Sequence, residues 1–181
     1  KKAFLGYYTL TAIVLTGRDT GEGDVEVSVF SLERGKARFI VRGTKKLVSG
    51  LRGAVEPITE GRFFIAERRG VDLLSEWEPV EFFIGVKKDP EKVAYASYFA
   101  RFAIEMFSER SPEKDFYILM KNAFFLLQTR VNRDTIRMLF EFGYLKCAGL
   151  MPDFGVCAEC GREFNCGYWD AKDGGFYCSA C

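Results

Sequence analysis

The stretch DVEVSVFSLERGKARFIVRG, residues 24–43, decides how the first part of the chain folds. In its first half apolar and polar side chains alternate, so that three valines share one face of an extended segment: Val25, Val27 and Val29. Alternation with a period of two is typical of a β-strand that is buried on one face only. The turn residues ERG then separate this strand from KARFIVRG, so the stretch predicts two successive strands.

The second strand places positive charge on one surface. Its alternate apolar residues are expected in the core: Ala37, Phe39 and Val41. Lys36, Arg38 and Arg42 then share the outer face, because successive side chains of a strand point to opposite sides. From Arg34 to Val55 the sequence contains no acid, although the net charge of the whole chain is only +1.

This concentration of charge has two interpretations. Runs of charge are usually solvated faces without further function. The absence of acids, and the continuation of the positive charge into the Gly- and Ser-containing loop Thr44–Gly53, favour instead a surface that binds phosphate groups. Seven basic residues are the predicted members of this surface: Arg34, Lys36, Arg38, Arg42, Lys45, Lys46 and Arg52.

The β-rich pattern extends over residues 8–78 and predicts about five strands in a small barrel or sandwich. One strand precedes residues 24–43, and two more are expected at Glu56–Glu67 and Val71–Trp77. Four phenylalanines there offer rings that stack on bases, although core packing is the more frequent use of such rings: Phe63, Phe64, Phe82 and Phe83.

After Asp89 the period changes to about 3.6, which predicts helices. The first helix is expected to end at Arg110, with Ser111 as the N-cap of the second helix. A third helix is expected to start at the cap residue Asn132 and to stop near Gly143. Three arginines near it are interpreted as solvent-exposed rather than as a rim for an acidic peptide: Arg130, Arg133 and Arg137.

The cysteines near the end of the chain are the most specific motif. Two Cys-x2-Cys pairs, Cys157 with Cys160 and Cys178 with Cys181, are separated by 17 residues, a spacing that suits one tetrahedral zinc ion. Free thiols, two disulfides and an iron–sulfur cluster are the alternatives. Four thiolates favour a structural over a catalytic zinc, and the residues between the pairs predict a β-hairpin. Cys147 and Cys166 are interpreted as small buried hydrophobic residues.

Composition excludes several classes of protein. With 181 residues, 48% of them hydrophobic and 15% aromatic, the chain is expected to fold around a dense core. No apolar run is long enough to cross a bilayer and no secretory signal is apparent, so a cytoplasmic location is expected. The chain has no histidine, and the acids Asp19, Glu22 and Asp24 lie in a turn-like segment, so we expect no enzymatic activity.

Several of these motifs, in this order, resemble one family. The run GRDTGEGDVEVSVFSLERGKARFIVRGTKK at residues 17–46, the S-x-LRGAVEPI element at Ser49–Ile58, FGY at Phe142–Tyr144 and C-x2-CG at Cys157–Gly161 are similar to elements of the bacterial recombination mediator RecO family. The resemblance covers nearly the whole chain. In two respects the chain departs from the family: it stops at Cys181, where relatives continue into further helices, and Cys166 adds a thiol near the cysteine pairs.

The resemblance implies an α+β protein in three parts: an OB-fold DNA-binding domain at residues 1–80, a helical domain at 81–150 and a zinc segment at 151–181. It implies binding of single- and double-stranded DNA, strand annealing, and work with RecR and the C-terminal tail of single-strand DNA-binding protein to load the recombinase RecA. A nucleoid-associated protein is expected. The alternative from another class is a protein-interaction adaptor whose basic face docks acidic protein tails.

Overall fold

The computed structural model describes residues 4–21, 23–44 and 50–181. Lys45 and Lys46, two of the predicted basic residues, lie outside the described residues, as does Glu22.

Five strands form a closed barrel in the order β1-β2-β3-β5-β4, in which only β3 and β5 pair in parallel among the described residues. The strands are β1 (Phe4–Gly21), β2 (Asp24–Ser31), β3 (Gly35–Val41), β4 (Glu60–Arg68) and β5 (Asp72–Glu81). This strand order in a small Greek-key barrel is that of the OB-fold. The predicted number of strands and the α+β class with an OB-fold are therefore confirmed. Of the two predicted architectures, barrel and sandwich, the structure is a barrel.

The faces of β2 and β3 follow the alternation in the sequence. Val27, Val29, Phe39 and Val41 are fully buried inside the barrel, as predicted. Phe30, on the other face of β2, is also fully buried, because rings from outside the barrel cover it. Residues that are far away in the sequence thus bury a side chain that alternation alone would leave exposed.

The loop after β3 contains a short helix, α1 (Arg52–Val55), so β4 begins later than predicted, at Glu60. The Trp77 indole Nε1 donates to the carbonyl of Gly50 at 2.8 Å. A Cβ at Gly53 would lie 2.5 Å from the Trp77 ring, so only glycine permits this close approach. Through these contacts, Trp77 of β5 holds the end of the loop at Gly50 and Gly53 against the barrel.

Four helices follow the barrel: α2 (Ile84–Lys87), α3 (Pro90–Met106), α4 (Lys114–Leu127) and α5 (Arg133–Cys147). Asp89 caps α3, because its Oδ1 accepts from the N–H groups of Glu91 and Lys92. The predicted cap at Asn132 is confirmed, since its Oδ1 accepts from the N–H groups of Asp134 and Thr135.

The predicted helix ends were partly wrong. Helix α3 stops at Met106 rather than Arg110, and Ser111 does not cap α4, whose N-cap is Glu113. Residues 107–113 instead run beside the barrel, where the Arg110 N–H donates to the Lys36 carbonyl at 3.0 Å. Helix α5 continues through Gly143 to Cys147.

The helices pack through stacked and edge-on aromatic rings. The ring centroids of Phe99 and Phe140 are 4.2 Å apart, and those of Phe83 and Phe124 are 5.3 Å apart. The buried Glu60 of β4 joins barrel and helices, because its Oε1 accepts from the Tyr117 hydroxyl at 2.6 Å and from the Lys121 ammonium at 2.8 Å.

The chain divides into two compact units, one that extends to Glu141 and one that comprises Phe142–Cys181. The second unit contains the predicted hairpin, formed by the antiparallel strands β6 (Gly167–Asp170) and β7 (Gly175–Cys178). The finer division at residues 80 and 150 stays a prediction. None of the helices among the described residues is long and apolar enough to cross a membrane.

Candidate nucleic-acid interface and metal centre

Strand β3 and the turn before it position the described part of the basic surface. Arg38 lies on the outer face of β3 and Arg42 follows its last residue, and 52% and 62% of their side chains are exposed, respectively. Arg52 at the start of α1 is exposed as well, whereas Arg34, in the turn between β2 and β3, is half-buried. The structure thus leaves Arg38, Arg42 and Arg52 accessible to a large ligand.

Acids from other elements reach two of these arginines. The Arg38 Nε lies 2.6 Å from the Glu109 Oε1, and its Nη1 lies 3.4 Å from the Glu26 Oε1. The Arg42 Nε lies 3.6 Å from the Asp24 Oδ2. Such exposed ion pairs contribute about 0–1 kcal/mol to stability, so a phosphate group can replace the carboxylate at little cost.

Lys36 has a different environment from its neighbours. Its side chain is half-buried, and its ammonium donates to the carbonyl of Ile104 at 2.6 Å. Ile104 lies in the last turn of α3, where unpaired carbonyls and the helix dipole favour a positive charge. Lys36 therefore connects the barrel to a helix, and its predicted contact with DNA stays a prediction.

Arg34 lies over an aromatic ring of β1. Its guanidinium carbon is 3.6 Å from the centroid of the Tyr8 ring, a cation–π contact. The Tyr8 hydroxyl donates to the Asp72 Oδ2 at 2.7 Å, and Asp72 Oδ1 accepts from the Arg68 N–H. Burial and the Asp72 carboxylate raise the pKa of Tyr8 well above its usual value of 10.0, so Tyr8 stays a neutral donor.

The four candidate stacking phenylalanines separate into two groups. Phe63 and Phe83 are fully buried in the core, where core packing was expected. Phe64 is half-buried and Phe82 is 36% exposed. Sequence reasoning overlooked Trp77, whose ring stacks on Phe63 and contacts Phe82 edge-on.

Of the arginines near α5 that were interpreted as solvent-exposed, Arg130 is exposed, and Arg133 and Arg137 are partly exposed and form ion pairs. Arg133 is half-buried and contacts Asp89 at 2.9 Å, and Arg137 contacts Glu141 at 3.1 Å. Their acidic partners lie on α5 itself, before α3 and in the first turn of α3.

The two cysteine pairs converge in the second unit. The four Sγ atoms of Cys157, Cys160, Cys178 and Cys181 all lie within 4.8 Å of one another, and all four cysteines are free of disulfides. The Cys160 and Cys178 sulfurs are 3.9 Å apart. Four sulfurs at about 2.3 Å from a tetrahedral zinc ion are about 3.8 Å apart, so this donor set fits a metal ion of that kind.

Backbone groups prepare the thiols for a metal ion. N–H groups, led by that of Cys160 and followed by that of Cys178, lower the pKa of the Cys157 thiol to about 6. The neighbouring sulfurs of Cys178 and Cys160 raise the pKa of Cys181 to about 12. Metal binding requires deprotonated thiols. A cation among the four sulfurs would offset the negative charge that these thiolates carry.

Cys147 and Cys166 are both exposed, so the prediction that they are buried hydrophobic residues was wrong. Cys147 is the last residue of α5, and Cys166 directly precedes β6 in the small second unit. A unit of this size buries few side chains. Neither cysteine belongs to the four-sulfur cluster.

The fold and the site together define a class of protein. It has an OB-fold barrel with a basic outer face, helices after the barrel, and four cysteines arranged for one metal ion.

Comparisons with known proteins identify the family. The family models for the N terminal and the C terminal of recombination protein O match residues 5–83 and 87–181, respectively. The chain is 32% identical over 177 residues to the DNA repair protein RecO of Desulforamulus reducens, which covers 96% of this chain and 68% of the relative. It is 34% identical over 176 residues to the DNA repair protein RecO of Anaeromyxobacter sp. (strain K), covering 95% and 69%. The chain therefore belongs to the RecO family of DNA repair proteins.

Proposed function

We propose that this protein binds single- and double-stranded DNA on the outer face of the OB-fold barrel and anneals complementary strands. The observation that carries the proposal is the pair of accessible arginines Arg38 and Arg42, on and directly after β3, together with the accessible Arg52 on α1, a helix that contacts β1 and β5 of the same barrel. Membership of a family of DNA repair proteins supports DNA as the polyanion. The residues Arg34, Lys36, Lys45 and Lys46 complete the proposed surface.

Annealing on such a surface needs no covalent chemistry. Guanidinium and ammonium groups neutralise the phosphates of two strands, which lowers their mutual repulsion and releases counterions. Complementary bases then meet at a high local concentration and pair. We accordingly propose a mediator rather than an enzyme. We further propose that it acts with RecR and the C-terminal tail of single-strand DNA-binding protein to load RecA.

Zinc is the metal that we propose for the four cysteines, in a structural role. Four thiolates complete a tetrahedral site, so zinc bound there has no open position for a substrate. When bound, the metal supplies folding energy to the second unit. The protein's own part is to bring the four sulfurs together: the Ala158 N–H donates to the Phe176 carbonyl at 2.8 Å, which joins the first cysteine pair to the hairpin.

A triple variant tests the proposed DNA surface. Changing Arg38, Arg42 and Arg52 to Gln removes three accessible charges. We expect a loss of affinity for single-stranded DNA of roughly a hundredfold, since each lost charged contact weakens binding by several-fold. Annealing of complementary strands coated with single-strand DNA-binding protein should slow in parallel.

The matched control changes three other exposed arginines to Gln: Arg62, Arg101 and Arg130. Arg62 and Arg101 pair with Glu78 and Glu105, as Arg42 pairs with Asp24, so the control removes the same number of exposed positive charges. Equal losses in the two variants would contradict a localised surface. A protein-interaction adaptor would not shift DNA in a gel at physiological salt when no partner is present.

A further inference from the structure

A small pocket lies between the barrel and residues 107–113. It has a volume of about 150 Å³, enough for several water molecules or one phosphate group. Tyr8 and Asp72 line it from the barrel, and Arg110 lines it from the segment between α3 and α4. Arg34 and Arg38 of the predicted basic surface also line it.

The acids in this pocket already have partners. Glu26 and Glu109 both pair with Arg38, and Asp72 is buried and accepts from the Tyr8 hydroxyl and the Arg68 N–H. Three guanidinium groups, those of Arg34, Arg38 and Arg110, line the pocket together with these three carboxylates, so its formal charges balance. Arg38 is held in ion pairs with two of the acids, so the donors that can serve a ligand are those of the other two guanidinium groups.

Arg34 and Arg110 supply these donors. Among residues 4–21, 23–44 and 50–181, no carboxylate lies within 4.0 Å of either guanidinium in an ion pair. Both charges also act on the hydroxyl of Tyr8, where each lowers the pKa against the raising effect of burial. The two arginines thus line the same pocket although they belong to different parts of the chain.

The backbone holds Arg110 in a fixed and unusual conformation. Its φ is 60°, in the left-handed region that side-chain-bearing residues rarely adopt. Its N–H donates to the Lys36 carbonyl, and the next residue packs so tightly on the turn of β2 and β3 that a Cβ at Gly35 would collide with the Ser111 carbonyl. A non-glycine residue persists in such a conformation only where its surroundings impose it, and such positions cluster at functional sites.

We propose that this pocket binds a phosphate group of DNA between Arg34 and Arg110, which makes Arg110 a DNA-contacting residue outside the barrel. The inference rests on the proposed DNA binding and adds a specific site to it. Arg34 packs on the Tyr8 ring and therefore loses little side-chain freedom when it binds, and the backbone of Arg110 is held by Lys36. The fork-like donors of both guanidinium groups match phosphate oxygens. The ligand is either a backbone phosphodiester or the 5′-phosphate at the end of a strand.

Substitution of Arg110 by Asn tests the site while protecting the fold, because Asn tolerates the left-handed conformation. We expect Arg110→Asn to lower the affinity for a thymidine homopolymer about tenfold. The slope of log affinity against log salt concentration should become shallower by about 0.7, the value for one lost phosphate contact on a single strand. Circular dichroism and thermal unfolding check that the fold is kept.

A double-mutant cycle distinguishes one shared phosphate from a general loss of charge. If Arg34 and Arg110 hold the same phosphate, Arg34→Gln combined with Arg110→Asn should cost clearly less than the sum of the two single losses. The matched control replaces Arg110→Asn by Arg101→Gln, an exposed arginine on α3 paired with Glu105, for which the losses should add.

Affinity measurements on the same strand with and without a 5′-phosphate identify which phosphate binds. An equal effect of Arg110→Asn with and without a 5′-phosphate identifies a backbone phosphodiester, and an effect only with it identifies the strand end. If Arg110→Asn keeps the wild-type affinity and salt slope, or if the losses in the cycle add, the proposed phosphate site is wrong. If the wild-type protein itself does not bind DNA, the proposed function fails instead.

Discussion

The two compact units of the molecule are stabilised in different ways. In the unit that extends to Glu141, eight phenylalanines are almost completely buried: Phe30, Phe39, Phe63, Phe83, Phe99, Phe116, Phe124 and Phe140. In Phe142–Cys181, all of which the structure describes, Cys157 is the only buried apolar residue, while Phe154 and Trp169 are about half exposed. The first unit is stabilised by packing, whereas the second has four clustered sulfurs and almost no apolar core.

The largest effect that we expect is the loss of the second unit when its metal site is broken. Cys160→Ser removes one of four thiolates, and structural zinc binding contributes about 10 kcal/mol or more in small domains. Hydrogen exchange should accelerate throughout residues 156–181, while the amides of β2 and β3 stay protected.

Cys166→Ser is the matched control, since Cys166 is exposed and outside the cluster. It should leave both the exchange pattern and the metal content of one zinc per chain unchanged. Purified protein without bound metal, or a second unit that stays protected from exchange in Cys160→Ser, would contradict the proposal that a metal ion stabilises this unit.

A core substitution should have the complementary effect on the first unit. Phe99 stacks on Phe140 and is fully buried, so Phe99→Ala should lower the free energy of unfolding by about 3–5 kcal/mol. Urea denaturation followed by circular dichroism measures this change. Phe125→Ala, at a position that is 40% exposed on α4, should cost much less. If Phe99→Ala loses zinc before its first unit unfolds, the stability of the second unit depends on the core of the first.

A smaller effect is expected at the buried carboxylate between barrel and helices. Lys121→Met removes the ammonium that pairs with Glu60, whose side chain is 1% exposed. Because Lys121 is itself about one third exposed, we expect a loss of about 1–3 kcal/mol, less than for a fully buried pair. Arg62→Gln breaks a surface pair with Glu78 and should change stability by less than about 0.5 kcal/mol. Equal urea midpoints for the two variants would contradict a special role for Glu60.

The smallest expected effect is a change in pH dependence. A hydrogen bond from Arg133 lowers the pKa of Asp89 below its ordinary value near 3.8. Stability from this group is therefore present above that value and is lost as the pH falls through the lowered pKa. Asp89→Asn keeps the helix cap but loses the charge. Its urea midpoint should thus depend less on pH between about 5 and 2 than that of the wild type, and an identical dependence would contradict the pairing.

Local patterns in the sequence predicted the main feature of each unit. The alternation around Val27 and Phe39 correctly predicted the strand faces, and the cysteine spacing predicted the cluster. Both signals lie within short segments, where the periodicity or spacing is set by local geometry.

Contacts between distant residues could not be predicted in this way. Glu109 pairs with Arg38, and Lys36 donates to Ile104, across about 70 positions of the sequence. Ser111 has the local pattern of a helix cap, but its backbone packs against Gly35 of the barrel instead. The acid-free run from Arg34 to Val55 thus overstated the free positive charge, because the fold brings acids to it.

We propose that the basic face of the barrel, rather than the unit with the four cysteines, holds DNA. The most direct test is the affinity of zinc-loaded wild-type protein for single-stranded DNA across salt concentrations. If about five side chains contact phosphates, the log–log slope should be about −3.5, and it should become shallower by about 2 in the triple variant of Arg38, Arg42 and Arg52. An affinity that does not depend on salt, or an unchanged slope in that variant, would contradict the claim.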